Sequence, residues 1–198
     1  MRTDRLMREY DLQLRYTHFP LHPDTPLEGQ TLEDLFANRL GALEAMRTRL
    51  PLLMAGEGLD YGDRSMTYNS RLAQELAKWA ETQPKRIDIH KALFRAYFVK
   101  GLNLGDPVVL IGIAVSAGLP EEEARNVVLE RRFKDAVDRD WTRSRELGVS
   151  GVPTYIVGDR GLVGAQPYEA LEALVAGAGA GATRSSTSRV NPRLGGCH

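Results

Sequence analysis

The chain has 198 residues, 42% hydrophobic and 26% charged, enough to close one sizeable core or two small ones. Lys plus Arg and Asp plus Glu number 26 each, so no basic excess points to nucleic acid. The opening MRTDRLMREYDL lacks the apolar stretch of a secretory signal, no run is long enough for a membrane span, and one cysteine closes no intramolecular disulfide, a set that fits a reducing cytoplasm.

Residues 3–10 read as the last turns of a helix, with Leu6 and Tyr10 four apart. Leu12, Leu14 and Tyr16 then alternate with Gln13, Arg15 and Thr17, which predicts a strand over 11–18. FPLHPDTPLEG carries three prolines and reads as a rigid loop. Thr31, with Asp34 three residues on, predicts a helix start, and Leu32, Leu35, Phe36, Leu40, Leu43 and Met46 form its apolar stripe. The glycine-containing stretch 51–70 reads as a loop.

Helical spacing returns at Leu72, Leu76 and Trp79 (about 70–83) and at Ile89, Leu93, Phe94, Tyr97 and Phe98 (about 87–100). Asp106 is placed to cap a helix that Pro107 begins and Gly118 stops. A helix over 120–129 follows, and Leu129, Phe133, Val137, Trp141 and Leu147 thread a long one to Gly148. Then the period changes. Thr154–Val157 reads as a strand, GDRG (158–161) as a tight turn, and 162–164 as the returning strand. Pro167 opens a last helix. The Gly, Ala, Ser, Thr and Arg of 177–198 read as a disordered tail. This order predicts an α/β fold with helices inserted between two parts of a sheet.

Isolated candidates for chemistry are few. His18 and His22 are four apart, but Pro20 lies between them, so packing or a loop position outweighs metal ligation. Tyr68-Asn69-Ser70 precedes a helix and reads first as a cap, second as a cleft wall. Trp79, Phe94, Tyr97 and Phe98 read as core. Cys197, in the flexible LGGCH end, reads as an incidental exposed thiol.

FPLHPDTPLEG, YNSRLAQELAKWA, LFRAYFVKGLNLGDPVVL, GVSGVPTYIV and GLVGAQPYEALEAL, in this order, resemble the DsbA-like thioredoxin-fold superfamily, nearest its FrnE-type branch, over about residues 1–176. The resemblance implies a thioredoxin-like domain from 1–30 and 148–176, with 31–147 as an all-helical insertion and connecting helix. It implies thiol–disulfide exchange by a Cys-x-x-Cys at a helix start, where the helix dipole lowers the thiol pKa. Gly151, Val152, Pro153 and Thr154 match the family's cis-proline loop, so Val152 is expected to offer main-chain hydrogen bonds to a substrate and the Val152-Pro153 bond to be cis. The partners implied are a thiol- or disulfide-containing peptide or a small thiol such as glutathione, with no cofactor and no metal.

The sequence departs from the pattern at its start. MRTDRLMREYDL matches the middle and end of the family's first helix, so the first strand and the Cys-x-x-Cys would precede Met1. The expectation is an N-terminally truncated chain with no catalytic residue of its own, whose strands at 11–18 and 154–157 would flank the first strand. Two alternatives stay open. One is an enzyme similar to kappa-type glutathione transferases or 2-hydroxychromene-2-carboxylate isomerases, which place a serine at the missing position. The other is a non-catalytic peptide binder.

Overall fold

The computed structural model describes residues 2–83 and 88–180. In chain order its elements are α1 (Arg2–Glu9), β1 (Gln30–Thr31), α2 (Leu32–Leu35), α3 (Leu40–Gly56), β2 (Met66–Thr67), α4 (Arg71–Ala80), α5 (Ile89–Phe98), α6 (Pro107–Ser116), α7 (Glu121–Leu129), α8 (Lys134–Glu146), β3 (Thr154–Val157), β4 (Arg160–Val163) and α9 (Tyr168–Gly177). Residues 181–198, which hold most of the expected tail and Cys197, lie outside the described residues. Two compact units result: Thr17–Val152, and Met1–Tyr16 together with Pro153–His198.

The larger unit is built on α4 to α7. Helical spacing puts Ala73, Leu76 and Ala77 of α4 and Ile89, Leu93 and Ala96 of α5 on inward faces, where they meet Leu110 and Ala114 of α6 and Ala124 and Val128 of α7. The sequence of α6, PVVLIGIAVS, is apolar on every face, and its Leu110, Ile111, Ile113 and Ala114 are buried while Val108 and Val115 stay exposed. It begins as predicted: the Asp106 carboxylate accepts the Val108 N–H at 2.8 Å and Pro107 takes the first helical position. Leu76 and Leu110 are fully enclosed, and truncating such a leucine to alanine costs about 2–5 kcal/mol.

The smaller unit packs α1 and α9 on the β3–β4 hairpin. Leu6, Tyr168, Leu171 and Val175 form its core, with Tyr10, Leu12, Tyr155, Val157 and Leu162 against them. The Tyr10 hydroxyl donates to Glu172 Oε1 at 3.0 Å, the Tyr168 hydroxyl donates to the Glu9 carboxylate, and Arg2 Nη1 donates to the Gln166 carbonyl at 2.6 Å. The Arg5 guanidinium lies 3.7 Å from the centre of the Tyr168 ring. Gly158-Asp159 is a two-residue turn with Gly158 at φ +64°, a conformation that suits a tight hairpin.

Several sequence expectations give way to longer-range structure. Residues 11–18 alternate but form no ladder, because an extended segment becomes a strand only when a neighbour pairs with it; Tyr10 alone makes an isolated bridge. The helix expected from Thr31 breaks into α2 and α3 at Phe36–Arg39, although Thr31 does accept the Asp34 N–H at 3.0 Å. The loop expected from residue 51 begins only after Gly56, since α3 runs through Pro51. The proline removes one hydrogen bond there, at a carbonyl on exposed Arg47. A short bridge of β1 to β2, Gln30 with Thr67 and Thr31 with Met66, closes the remainder of that loop. The long helix expected from 129 to 147 is interrupted at Glu130–Phe133, where Arg131 takes φ +56° and turns back toward α4. The returning strand starts at Arg160, two residues earlier than expected.

Candidate functional site

The loop singled out by sequence begins where α8 ends. Gly148 sits at φ +67° just past the helix, its N–H bonds the Arg145 carbonyl at 2.9 Å, and the Val149 N–H reaches the Ser144 carbonyl at 3.0 Å. This reciprocal pair is the glycine-closed helix ending that satisfies the last carbonyls and sets the direction of the exit chain. Ser150 to Val152 complete the larger unit, and Pro153 begins the smaller one.

Each of the four candidate residues has its own environment. Gly151 and Thr154 are half-buried, Pro153 is exposed, and Val152 is 50% exposed. The Pro153 carbonyl accepts the Gly164 N–H at 2.7 Å, which continues the β3–β4 ladder by one step. Tyr155, the next inward residue, is packed in the small core, and burial pushes its phenol above the ordinary value. Val152 differs from these neighbours. Its N–H and C=O make no hydrogen bond among the described residues. A main-chain donor and acceptor left open on an exposed residue are the groups an extended chain pairs with. The sequence carried no direct signal of this, because main-chain pairing depends on the hairpin beyond Pro153.

The other sequence candidates have structural places. Asn69 Nδ2 donates to the carbonyls of Pro23 at 3.2 Å and Thr25 at 2.8 Å, while its Oδ1 accepts the Arg71 N–H at 2.9 Å. One side chain thus caps the first turn of α4 and ties down the proline loop. Trp79 is core and half-buried Tyr97 packs against that core, but Phe94 is 53% exposed and half-buried Phe98 lies outside it, a correction to the reading of all four as core. The rings of Tyr97 and Phe98 flank Arg64, whose guanidinium carbon lies 4.4 Å from the Tyr97 ring centre and 5.4 Å from that of Phe98. Attraction between a cation and ring faces favours that arrangement over burial of both aromatics.

His18 and His22 do not converge. His22 is exposed in the proline loop, whereas His18 is set among polar groups of three helices. Its main-chain N–H donates to Asp140 Oδ2 of α8 at 3.0 Å, and Lys78 Nζ of α4 contacts the same oxygen at 3.0 Å. His90 of α5 faces it with ring centres 6.1 Å apart and shares Glu81 with Lys78, each contact 3.2 Å. The His18 Nε2 is buried with no partner, and burial holds the imidazole down at about 4. This cluster was not legible from the sequence, since His18 lies 122 residues from Asp140 and the remaining members come from two further helices.

A family model for the DSBA-like thioredoxin domain matches residues 1–176. A probable DsbA oxidoreductase from Streptomyces coelicolor superposes with a TM-score of 0.79 at 25% identity, covering 88% of this chain and 81% of that one. A candidate protein disulfide isomerase from Nitrosomonas europaea gives a TM-score of 0.59 at 18% identity, with 77% of each chain covered, a likeness of fold alone. No match is found among curated proteins. The α/β thioredoxin-like fold with a helical insertion is supported by the family match and the first of these structures.

Proposed function

Because the chain belongs to the DSBA-like thioredoxin domain family, we propose that it serves thiol–disulfide exchange as a DsbA-type protein of the FrnE branch, and that its residues supply the peptide-docking half of that reaction. The observation that carries the reading is Val152: half exposed, placed between Gly151 and Pro153, with both main-chain groups open. An extended peptide pairs with those groups as an added strand would, while Pro153 and the half-buried Thr154 hold the loop to the hairpin. The reading includes a cis Val152-Pro153 bond and work in a reducing cytoplasm. No helix among the described residues is long and apolar enough to cross a membrane.

In exchange, a thiolate attacks one sulfur of a disulfide, the old S–S bond breaks, a mixed disulfide forms and the displaced sulfur leaves as a thiolate. The sequence holds one cysteine, Cys197, and no Cys-x-x-Cys. The proposal therefore assigns Gly151, Val152, Pro153 and Thr154 to binding, and gives the sulfur chemistry to no described residue of this chain.

The test is titration of the labelled protein with a short unstructured peptide containing an alkylated cysteine, read by amide chemical shifts. Saturable shifts are expected at Val152 and at Gly164, which bonds Pro153. They are expected to disappear in Val152→Pro, which has no amide hydrogen at that position. Unchanged binding by that variant, or shifts confined to other surfaces, would overturn the proposal. Saturable binding of glutathione in preference to the peptide would replace it with a glutathione-using enzyme.

A further inference from the structure

We infer that the helical unit carries a second binding site, for a small organic acid with an apolar body, in the cleft walled by α4 and α7. The cleft has a volume of about 300 Å³ and is lined by Leu27, Leu72, Val128 and Leu129 on its apolar side and by Arg71 and Arg131 on its charged side. Leu27 and Leu129 are 64% and 59% exposed, so the apolar wall stands open to water.

The charged side is fixed in place. Glu75 is 1% exposed, and its Oε1 accepts from Arg71 Nε at 2.6 Å and from Arg131 Nη2 at 2.6 Å, while its Oε2 accepts from Arg131 Nε at 2.8 Å. One enclosed carboxylate therefore orients two guanidinium groups. Arg131 reaches it from a backbone at φ +56°, in the left-handed region that residues other than glycine seldom adopt. Arg71 Nη2 is taken by Asp138 at 2.8 Å and by the Lys134 carbonyl at 2.8 Å. The Nη1 groups of both arginines make no hydrogen bond among the described residues.

Charge and size select the occupant. Lys134 also pairs with Asp138, at 2.9 Å, so Arg71, Arg131 and Lys134 meet only Glu75 and Asp138, and one positive charge is left over. A single carboxylate balances it and can accept from the two open Nη1 groups. Water in bulk takes about 30 Å³ per molecule, so the cleft has room for a monocarboxylate with a chain of several carbons lying against the leucines.

Hexanoate is the probe, with hexylamine as its cationic counterpart, and the readout is the methyl chemical shifts of Leu72, Val128 and Leu129. Saturable shifts are expected with hexanoate, with binding about tenfold or more weaker for hexylamine. Arg131→Gln is expected to weaken hexanoate to a similar degree. Because that variant also disturbs Glu75, Leu27→Glu provides a second check: it changes an exposed rim residue, leaves the arginines intact and is expected to repel the acid while the melting temperature holds. Equal response to hexylamine, no saturation at these methyls, or undiminished hexanoate binding by Leu27→Glu would overturn the inference.

Discussion

Acid should loosen the helical unit through one residue, His18. Its imidazole is held at about 4, below the ordinary 6.5, chiefly by burial. Lys78 and His90 push in the same direction, while Asp140 and Glu81 oppose them. Asp140, whose Oδ2 accepts the His18 main-chain N–H and contacts Lys78, is the stronger of the opposing charges, but burial outweighs it. Above pH 6.5 the ring is neutral in both the folded and the unfolded chain, so nothing is lost. Below 6.5 the unfolded chain takes up a proton that the folded one refuses, and stability falls until the folded ring also titrates near 4. At about 1.36 kcal/mol per pH unit, the gap amounts to about 3 kcal/mol, of which about 2 is gone by pH 5. That is a large share of the roughly 5–15 kcal/mol of a whole domain. Urea unfolding of the wild type and of His18→Phe, followed from above pH 6.5 down to 4, isolates the contribution as the difference in their pH dependence. NMR titration of the His18 ring gives its midpoint directly. A variant that loses stability as steeply as the wild type, or a His18 midpoint at or above 6.5, would refute the reasoning.

Two other substitutions follow from the packing. Glu75→Gln strips the shared anion from two arginines held at 2.6 Å, and the unfolding free energy should drop by about 3–5 kcal/mol in urea denaturation. Gly62→Ala places a Cβ 2.3 Å from the Val99 carbonyl oxygen, on a segment whose N–H bonds the Phe98 carbonyl at 2.9 Å, so the urea midpoint should fall by the equivalent of about 1–3 kcal/mol with the slope unchanged.

Local chemistry made much of this fold readable in advance. Asp106 and Pro107 mark the start of α6 through a cap and a fixed φ, and Gly148 closes α8, because each signal acts within a few residues. The hairpin around Gly158-Asp159 was visible for the same reason, although its return strand starts at Arg160. What stayed hidden depends on partners distant in sequence. The alternation of 11–18 says which face is apolar but not whether a neighbour pairs with it. Arg131 breaks the helical run because Glu75, 56 residues earlier, needs its guanidinium, and no local preference of Arg-Arg-Phe announces that. At the candidate loop the sequence motif pointed to Gly151–Thr154, while the openness of the Val152 main chain became visible only with the hairpin bonds in view.

The helix α3 has a consequence for how the molecule is cut. It is 17 residues long, yet Leu43 is its only buried residue, and Pro51 interrupts its hydrogen bonding near the middle. A helix that buries so little separates from its surroundings at a small fraction of the global unfolding free energy. Arg47 and Arg49 are exposed on it. Among the described helices, brief digestion of the native protein with trypsin should therefore cut first between residues 47 and 50, while the amides of α4 and α6, whose Leu76 and Leu110 are fully enclosed, remain the last to exchange with heavy water.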